Sequence, residues 1–335
     1  MISTTIGDMS RQLMLSRQTT RMKQSLSTLS QEISTGIVRD KIRHVNGDVT
    51  MLASLEQKIA ASELQKSLSD SLQTILGGQQ MVLGNMQADA ERIAFDTLSM
   101  NDVTNMAQIS RFISNFRAGF DNAVDVLNTK LAGRSLFAGD VGNEPALAPA
   151  GVILSELRSA MPAGLDASGL SDFVDTWFAE GNGFDTYGYV GGERISGAVA
   201  LGSGINVNPN TTADHEAFRV TLAGYAKAAL LAENEILNDP GDRRELVQKA
   251  ALTVAMGASK IIDLSARIGM DEERTSIASV RAGNELSALS IARSELISAD
   301  PHETAMKLEH VMTQLDLIFS ITARMSRLSL ADYLR

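Results

Sequence analysis

No cysteine occurs in the 335 residues. Disulfides, thiol nucleophiles and cysteine-ligated zinc are therefore excluded, and the composition suits a reducing or an oxidising compartment equally. Aromatic residues are scarce: one Trp, four Tyr and ten Phe. With hydrophobic residues at an ordinary 44%, Leu, Ile, Ala and Met must do most of the packing. That suits long helices better than a large β-sandwich. No apolar run approaches the ~18 residues of a membrane span, so no membrane insertion is expected. Met1-Ile2-Ser3-Thr4-Thr5 leads into a polar amphipathic stretch rather than the apolar core of a secretory signal. If the protein leaves the cell, it is expected to do so without a cleaved Sec-type signal.

The residues of chemistry are equally thin. His44, His215, His302 and His310 are scattered, and none makes an HExxH-type spacing. Gly202-Ser203-Gly204 is too short to cradle a phosphate and reads as a turn. Asp271-Glu272-Glu273 follows Gly269 and reads as charge stabilising a helix start. Neither a GxSxG nor a Walker sequence is present, and no pair of catalytic carboxylates stands out. The expectation is a protein without catalytic residues, cofactor or metal, and not an enzyme.

Charge is present but unevenly spread. Of the net −10, residues 140–245 hold 16 Asp/Glu against 6 Lys/Arg, whereas residues 1–43 hold 7 Lys/Arg against 3 Asp/Glu. An acidic middle predicts a solvated outer surface that disfavours nucleic acid. The basic first segment, diluted by Ser, Thr and Gln, reads as a solvated helix face.

What the chain has in quantity is helical periodicity, above all at its ends. Leu15, Met22, Leu26, Leu29 and Ile33 recur at steps of three and four, with Thr19 in the one polar slot. Ala305, Leu308, Met312, Leu315, Phe319 and Thr322 do the same near the other end, ahead of Leu330, Tyr333 and Leu334. Each stripe requires an apolar surface that its own helix cannot supply. Residues 8–35 read as one helix stopped by Gly36, followed by a connector over 37–47 with a turn at Asn46-Gly47. Asp48 is placed to cap the next helix, which carries Leu52, Leu55 and Ile59 and then a strict heptad at Leu72, Leu76, Gln79, Leu83, Met86, Ala90 and Ile93. Gly77, Gly78 and Gly84 should weaken it locally. After a break near Ser99–Thr104, a helix bearing Ile109, Ile113, Phe116, Phe120 and Leu127 runs to about Gly133.

The texture then changes. Pro145, Pro149, Pro162 and Pro209, the single Trp177 and many glycines fall between 139 and 235, with short strands predicted over 195–201 and 205–207 before a helix from Glu216 to Leu237. Asp239-Pro240-Gly241-Asp242 opens a second helical region. Its stripe is Leu246, Ala250, Ile261, Leu264 and Ile268, with a break or kink at Gly269, and resumes at Ile277, Val280, Leu286, Leu289 and Leu296. Asp300-Pro301-His302-Glu303 places Asp at an N-cap, Pro at N1 and Glu at N3 of the last helix. The predicted fold is mainly α: a long coiled-coil rod from both chain ends with a smaller α/β or β-rich insert. The predicted boundaries are 1–138 (1–36 as an inner terminal helix), 139–237 for the insert, and 238–335 (300–335 inner), the last packing with 1–138.

Periodicity of this kind fits any helical bundle. Ala132-Gly133-Arg134-Ser135-Leu136-Phe137-Ala138-Gly139-Asp140 narrows the choice. It resembles the G-R-x-L-F-A-G segment of the flagellar hook–filament junction family, hook-associated protein three, on Gly133, Arg134, Leu136, Phe137 and Gly139. Ile33-Ser34-Thr35-Gly36 and the run from Asp300 to Leu334 resemble the ends shared by that family and flagellin. Where both usually carry an Asp-Asp pair after the first helix, this chain reads Arg43-His44-Val45-Asn46-Gly47-Asp48. The resemblance implies a structural adaptor outside the cell, at the hook–filament junction of the bacterial flagellum. It implies export through the flagellar type III apparatus with an export chaperone, self-assembly into a ring, and contacts with hook-associated protein one and flagellin. Flagellin itself is the alternative, and an unrelated secreted helical coiled-coil protein comes next. The expected assembly interface is Leu15, Met22, Leu26, Leu29 and Ile33 with Leu308, Met312, Leu315, Phe319, Leu330, Tyr333 and Leu334.

Overall fold

A computed structural model describes residues 3–45, 49–99, 106–193, 197–202, 204–233 and 236–333. For residues 3–9, 11, 12 and 325–333 it gives the helix but not the side-chain surroundings. Asp48 lies outside the described residues, so its expected capping role is not addressed. The elements are α1 (Ser3–Thr35), α2 (Lys41–His44), α3 (Thr50–Leu98), α4 (Met106–Leu127), β1 (Lys130–Leu131), β2 (Arg134–Ser135), α5 (Ala150–Ser159), α6 (Ala167–Phe178), a π-turn at Phe184–Gly188, β3 (Val199–Ala200), β4 (Asn206–Val207), α7 (Glu216–Glu233), α8 (Pro240–Ile297) and α9 (Pro301–Tyr333). The fold is mainly α, and its β-structure is confined to two antiparallel two-stranded pieces, β1–β2 and β3–β4. No helix among the described residues is long and apolar enough to cross a membrane.

Two compact units emerge, one from residues 1–63 and 283–335, the other from 64–282. These divisions differ from the predicted ones. Residues 139–237 do not stand apart: Phe137, Leu154, Trp177 and Phe218 belong to one apolar core with Leu83, Phe116 and Val254. The stretch predicted as α/β or β-rich combines the short helices α5 and α6 with the β3–β4 pair and α7. Its helices α5 and α6 span only 10 and 12 residues, too few turns for a periodic stripe to outweigh the Gly and Pro around them.

In the 64–282 unit, the α3 heptad is buried as the sequence predicts, from Leu72 through Ile93. The helix passes Gly77, Gly78 and Gly84 without interruption. At Gly78 a Cβ would come within 3.3 Å of Leu131 and Leu136, so the glycine admits the β1–β2 hairpin to the helix surface. Helix α4 ends at Leu127, short of the predicted Gly133, because residues 130–135 turn back as that hairpin. Helix α8 likewise continues through Gly269 for 58 residues, about 87 Å at the usual rise. Leu246, Ala250, Ile261, Leu264 and Ile268 face the core. Ile277 and Val280, predicted to resume that face, are instead exposed, and Thr275, Ala278 and Ala282 take the inward positions. The small inward residues leave room for side-chain pairs between α8 and α3: Ser279 donates to Asp70 at 2.6 Å, and Gln80 exchanges two hydrogen bonds with Ser265. Hydrogen bonds from Lys66 and then Ser279 hold the Asp70 carboxyl below the usual carboxylate range.

Two cations are buried in this unit, which no periodic pattern foretells. Arg219 bonds the carbonyls of Asp214 and Phe178, pairs with Asp185 and lies over the Phe184 ring. Lys227 pairs with Asp175 at 2.7 Å and donates to Thr253. Each ammonium or guanidinium is thus matched on the spot, as burial of charge requires.

In the unit of residues 1–63 and 283–335, α1 packs along α9. Gly36, at φ +67°, ends α1 by donating to Glu32 at 2.8 Å. Val38 then donates to Ile297, and Ala299 donates to Gly36. Part of the predicted connector is the short helix α2, capped by the Asp40 carboxylate on the Arg43 N–H. Asp300 caps α9 as predicted, accepting from the His302 and Glu303 N–H groups at 2.8 and 3.1 Å. These bonds lower its pKa. Glu303 turns outward to Lys307 instead of back to the cap.

Candidate assembly interface

The terminal helices meet along a heptad seam. On α1 it comprises Leu15, Thr19, Met22, Leu26 and Leu29, all half-buried. On α9 it is Thr304, Leu308, Val311, Leu315 and Ile318, spaced four and three apart. Leu308 and Leu315 lie where the sequence stripe puts them. Met312 and Phe319, the other members of that stripe, remain 52% and 50% exposed, as Val311 and Ile318 occupy the inward face. Ile33 is exposed as well. Leu330 and Tyr333 lie on the helical backbone of α9, but their side chains, and all of Leu334, lie outside the described residues.

Helix α9 therefore carries more apolar surface than α1 covers. Met312 and Phe319 edge the seam, while Met306, Leu317 and Ile321 sit on the far side, all exposed. A helix apolar on more than one face belongs inside a larger assembly than a two-helix pair. Its partner α1 adds Leu13 and Met14, also exposed. The polar members of the seam are self-sufficient: Thr19 bonds the Leu15 carbonyl, and Thr304 bonds that of Asp300. Thr322 does the same with Ile318.

Sequence reading missed a polar groove of about 800 Å³ between α1, α2 and the start of α9. Its carboxylates are committed: Glu32 to the Arg39 N–H, Asp40 and Asp300 to helix starts, Glu303 to Lys307. In the 64–282 unit a cleft of about 620 Å³ is lined by Asp175, Glu180, Asp214, Glu216, Arg219 and Met256. Lys260 holds Glu216 ionised by a 2.7 Å contact. The cleft joins these ion pairs to the apolar side chains of Phe178, Val220 and Met256, with His215 and Thr253 also in its lining.

The segment that carries the family resemblance is a packing device. Ala132 and Gly133, with φ of +50° and +83°, make the two-residue turn of the β1–β2 hairpin. Arg134 stands exposed on β2. Leu136 and Phe137 plunge into the core, where Phe137 meets Phe218 edge-on at 5.4 Å and the Leu136 carbonyl accepts from buried Gln79. Gly139, at φ +68°, passes so close to the Glu193 carbonyl that a Cβ would stand 2.5 Å from it.

The comparisons bear on the fold. No family model matches the chain, and no curated protein does. Among solved structures, it is similar to a Vibrio parahaemolyticus protein provisionally described as a flagellar hook-associated protein. Identity is 14%, the match covers 73% of this chain and 96% of that one, and the TM-score is 0.50. At that identity the likeness is one of fold.

Proposed function

We propose that this chain is a structural subunit of the bacterial flagellum, acting without catalysis as the adaptor between hook and filament. The observation that carries the reading is the surplus apolar surface of the terminal pair, centred on Met312 and Phe319. The fold shared with the Vibrio protein supports a flagellar role, and the segment from Gly133 to Gly139 supports the junction over the bulk filament. In this reading the terminal helices complete their packing on neighbouring subunits in a ring, with hook-associated protein one on one side and flagellin on the other. In this reading the chain travels through the flagellar export apparatus with a chaperone.

Met312→Asp combined with Phe319→Asp tests this at the exposed edge of the seam, where the Phe319 ring also meets Lys23 of α1. The variant should be exported with its 64–282 unit folded, yet leave flagellin shed into the medium. Normal swimming by cells carrying it would refute the proposal. Antibody labelling of isolated flagella separates junction from filament: a band at the distal edge of the hook is expected, whereas label along the whole filament would make the chain a flagellin.

A further inference from the structure

The outer face of α8 carries a second coiled-coil seam that is exposed among the described residues. From Leu252 to Val280 the exposed positions at alternating steps of four and three include Leu252, Met256, Ala266, Met270, Ile277 and Val280. Ser259, Asp263 and Glu273 are the polar members. The stretch covers about 43 Å at the usual helical rise. Beside it, at seven-residue intervals, runs a row of cations: Lys260, Arg267, Arg274 and Arg281. The opposite flank is uncharged, with Ala255, Ile262, Gly269 and Ser276 at the equivalent positions. Lys260 and Arg274 have partners in Glu216 and Asp271. Arg267 and Arg281 make no ion pair among the described residues.

An apolar seam with one cationic flank selects a helix with a matching seam and an acidic flank. The same 64–282 unit presents such a helix. On α3, Met81, Ala88 and Phe95 are exposed at seven-residue intervals, with Asn85 and Arg92 between them. Glu91 borders that face, as do Asp89 and Asp96, which pair with Arg92 of the same helix. Residues 64–282 hold 27 Asp/Glu against 17 Lys/Arg, so two units repel at long range and the attraction is local to the two faces. The polar breaks agree too, because Asp263 and Glu273 interrupt one seam and Arg92 the other.

We propose that the α8 seam of one copy docks on the Met81–Phe95 face of α3 in a second copy. The pairing is heterologous, so each subunit keeps one unused face of each kind and the contact propagates into a ring or an open helix. This inference rests on the assembly reading above and names the surfaces that would meet.

The test uses the full chain. A photoreactive amino acid replaces Met270, and that protein is mixed with isotopically labelled wild-type chain under conditions where it associates. Inter-copy adducts are expected within residues 81–96. Arg267→Glu with Arg281→Glu should lower their yield about tenfold, a loss of about 1.4 kcal/mol in association. Glu91→Lys with Asp96→Lys in the second copy should restore it. Association with adducts elsewhere, or with none, would overturn this docking while leaving the assembly reading intact. Equal yield from the charge-reversed pair would also overturn it. Failure of the wild-type chain to associate under any condition would sink both.

Discussion

The two compact units solve the burial problem in opposite ways. Residues 64–282 contain nearly all of the aromatic residues, with Phe116, Phe120, Phe137, Phe178, Phe184, Phe218 and Tyr225 fully buried. Burial lifts the pKa of the Tyr225 hydroxyl far above that of free tyrosine. That unit contains its own core and even accommodates Arg219 and Lys227 inside it. Among the described residues, 1–63 and 283–335 contain no such centre. Their seam is half-buried aliphatic residues and threonines, and Phe319, one of their two aromatic residues, is half exposed. A two-helix pair has too little interior to hide a ring. One unit encloses a core of its own, and the other holds a half-open seam.

The sharpest way to break this contrast is to hollow out the enclosed core. Phe137→Ala removes a fully buried ring that meets Phe218 and should cost about 3–5 kcal/mol. Thermal unfolding followed by Tyr and Trp fluorescence should fall by many degrees, since Trp177 reports on the same core. Leu315→Ala, on the α9 side of the terminal seam, should cost about 2 kcal/mol. Its effect should be local: limited proteolysis would release fragments from residues 1–45 and 300–333 faster, while the fluorescence transition stays in place. A shifted transition would show that the units are energetically one.

A smaller effect is expected at Gly257, where a Cβ would stand 2.8 Å from the Thr221 Cα. Gly257→Ala should destabilise the 64–282 unit by about 1–3 kcal/mol through forced separation of α7 and α8, measured by denaturant unfolding. The smallest effect concerns pH. The folded pKa of Asp300 lies below the usual carboxylate range because backbone N–H groups of Glu303 and His302 bond its carboxylate. The stabilisation is fully present above the unfolded value and is lost as pH falls through the folded one. Amide exchange at the first turn of α9 should accelerate there, and Asp300→Asn should flatten that pH response.

Long, regularly patterned helices were legible from residues alone. The α3 heptad, the inward α8 positions up to Ile268 and the Asp300 cap follow from spacing and capping chemistry. Where two stripes interleave on one helix, periodicity cannot say which one the chain itself covers. On α9 the sequence joins Leu308 and Leu315 to Met312 and Phe319, whereas the fold joins them to Val311 and Ile318. On α8, Ile277 and Val280 were read as core because their period is correct, yet they lie on the outer seam. Phase depends on tertiary neighbours, which sequence spacing does not contain. The detail of the insert was hidden for another reason: its helices are short, and its strands are two residues each, below the length at which alternation can be recognised. The buried cations had no local signal, since Arg219 finds Asp185 and Phe178 more than thirty residues away.

The threonines of the terminal seam have a mechanical consequence. Because Thr19, Thr304 and Thr322 each bond a carbonyl of their own helix, separating α1 from α9 orphans none of these hydroxyls. Parting the two helices loses the apolar seam and the Lys23–Phe319 contact, and rejoining them needs no particular partner for these hydroxyls. The seam is in effect a zip fastener whose polar teeth carry no key of their own.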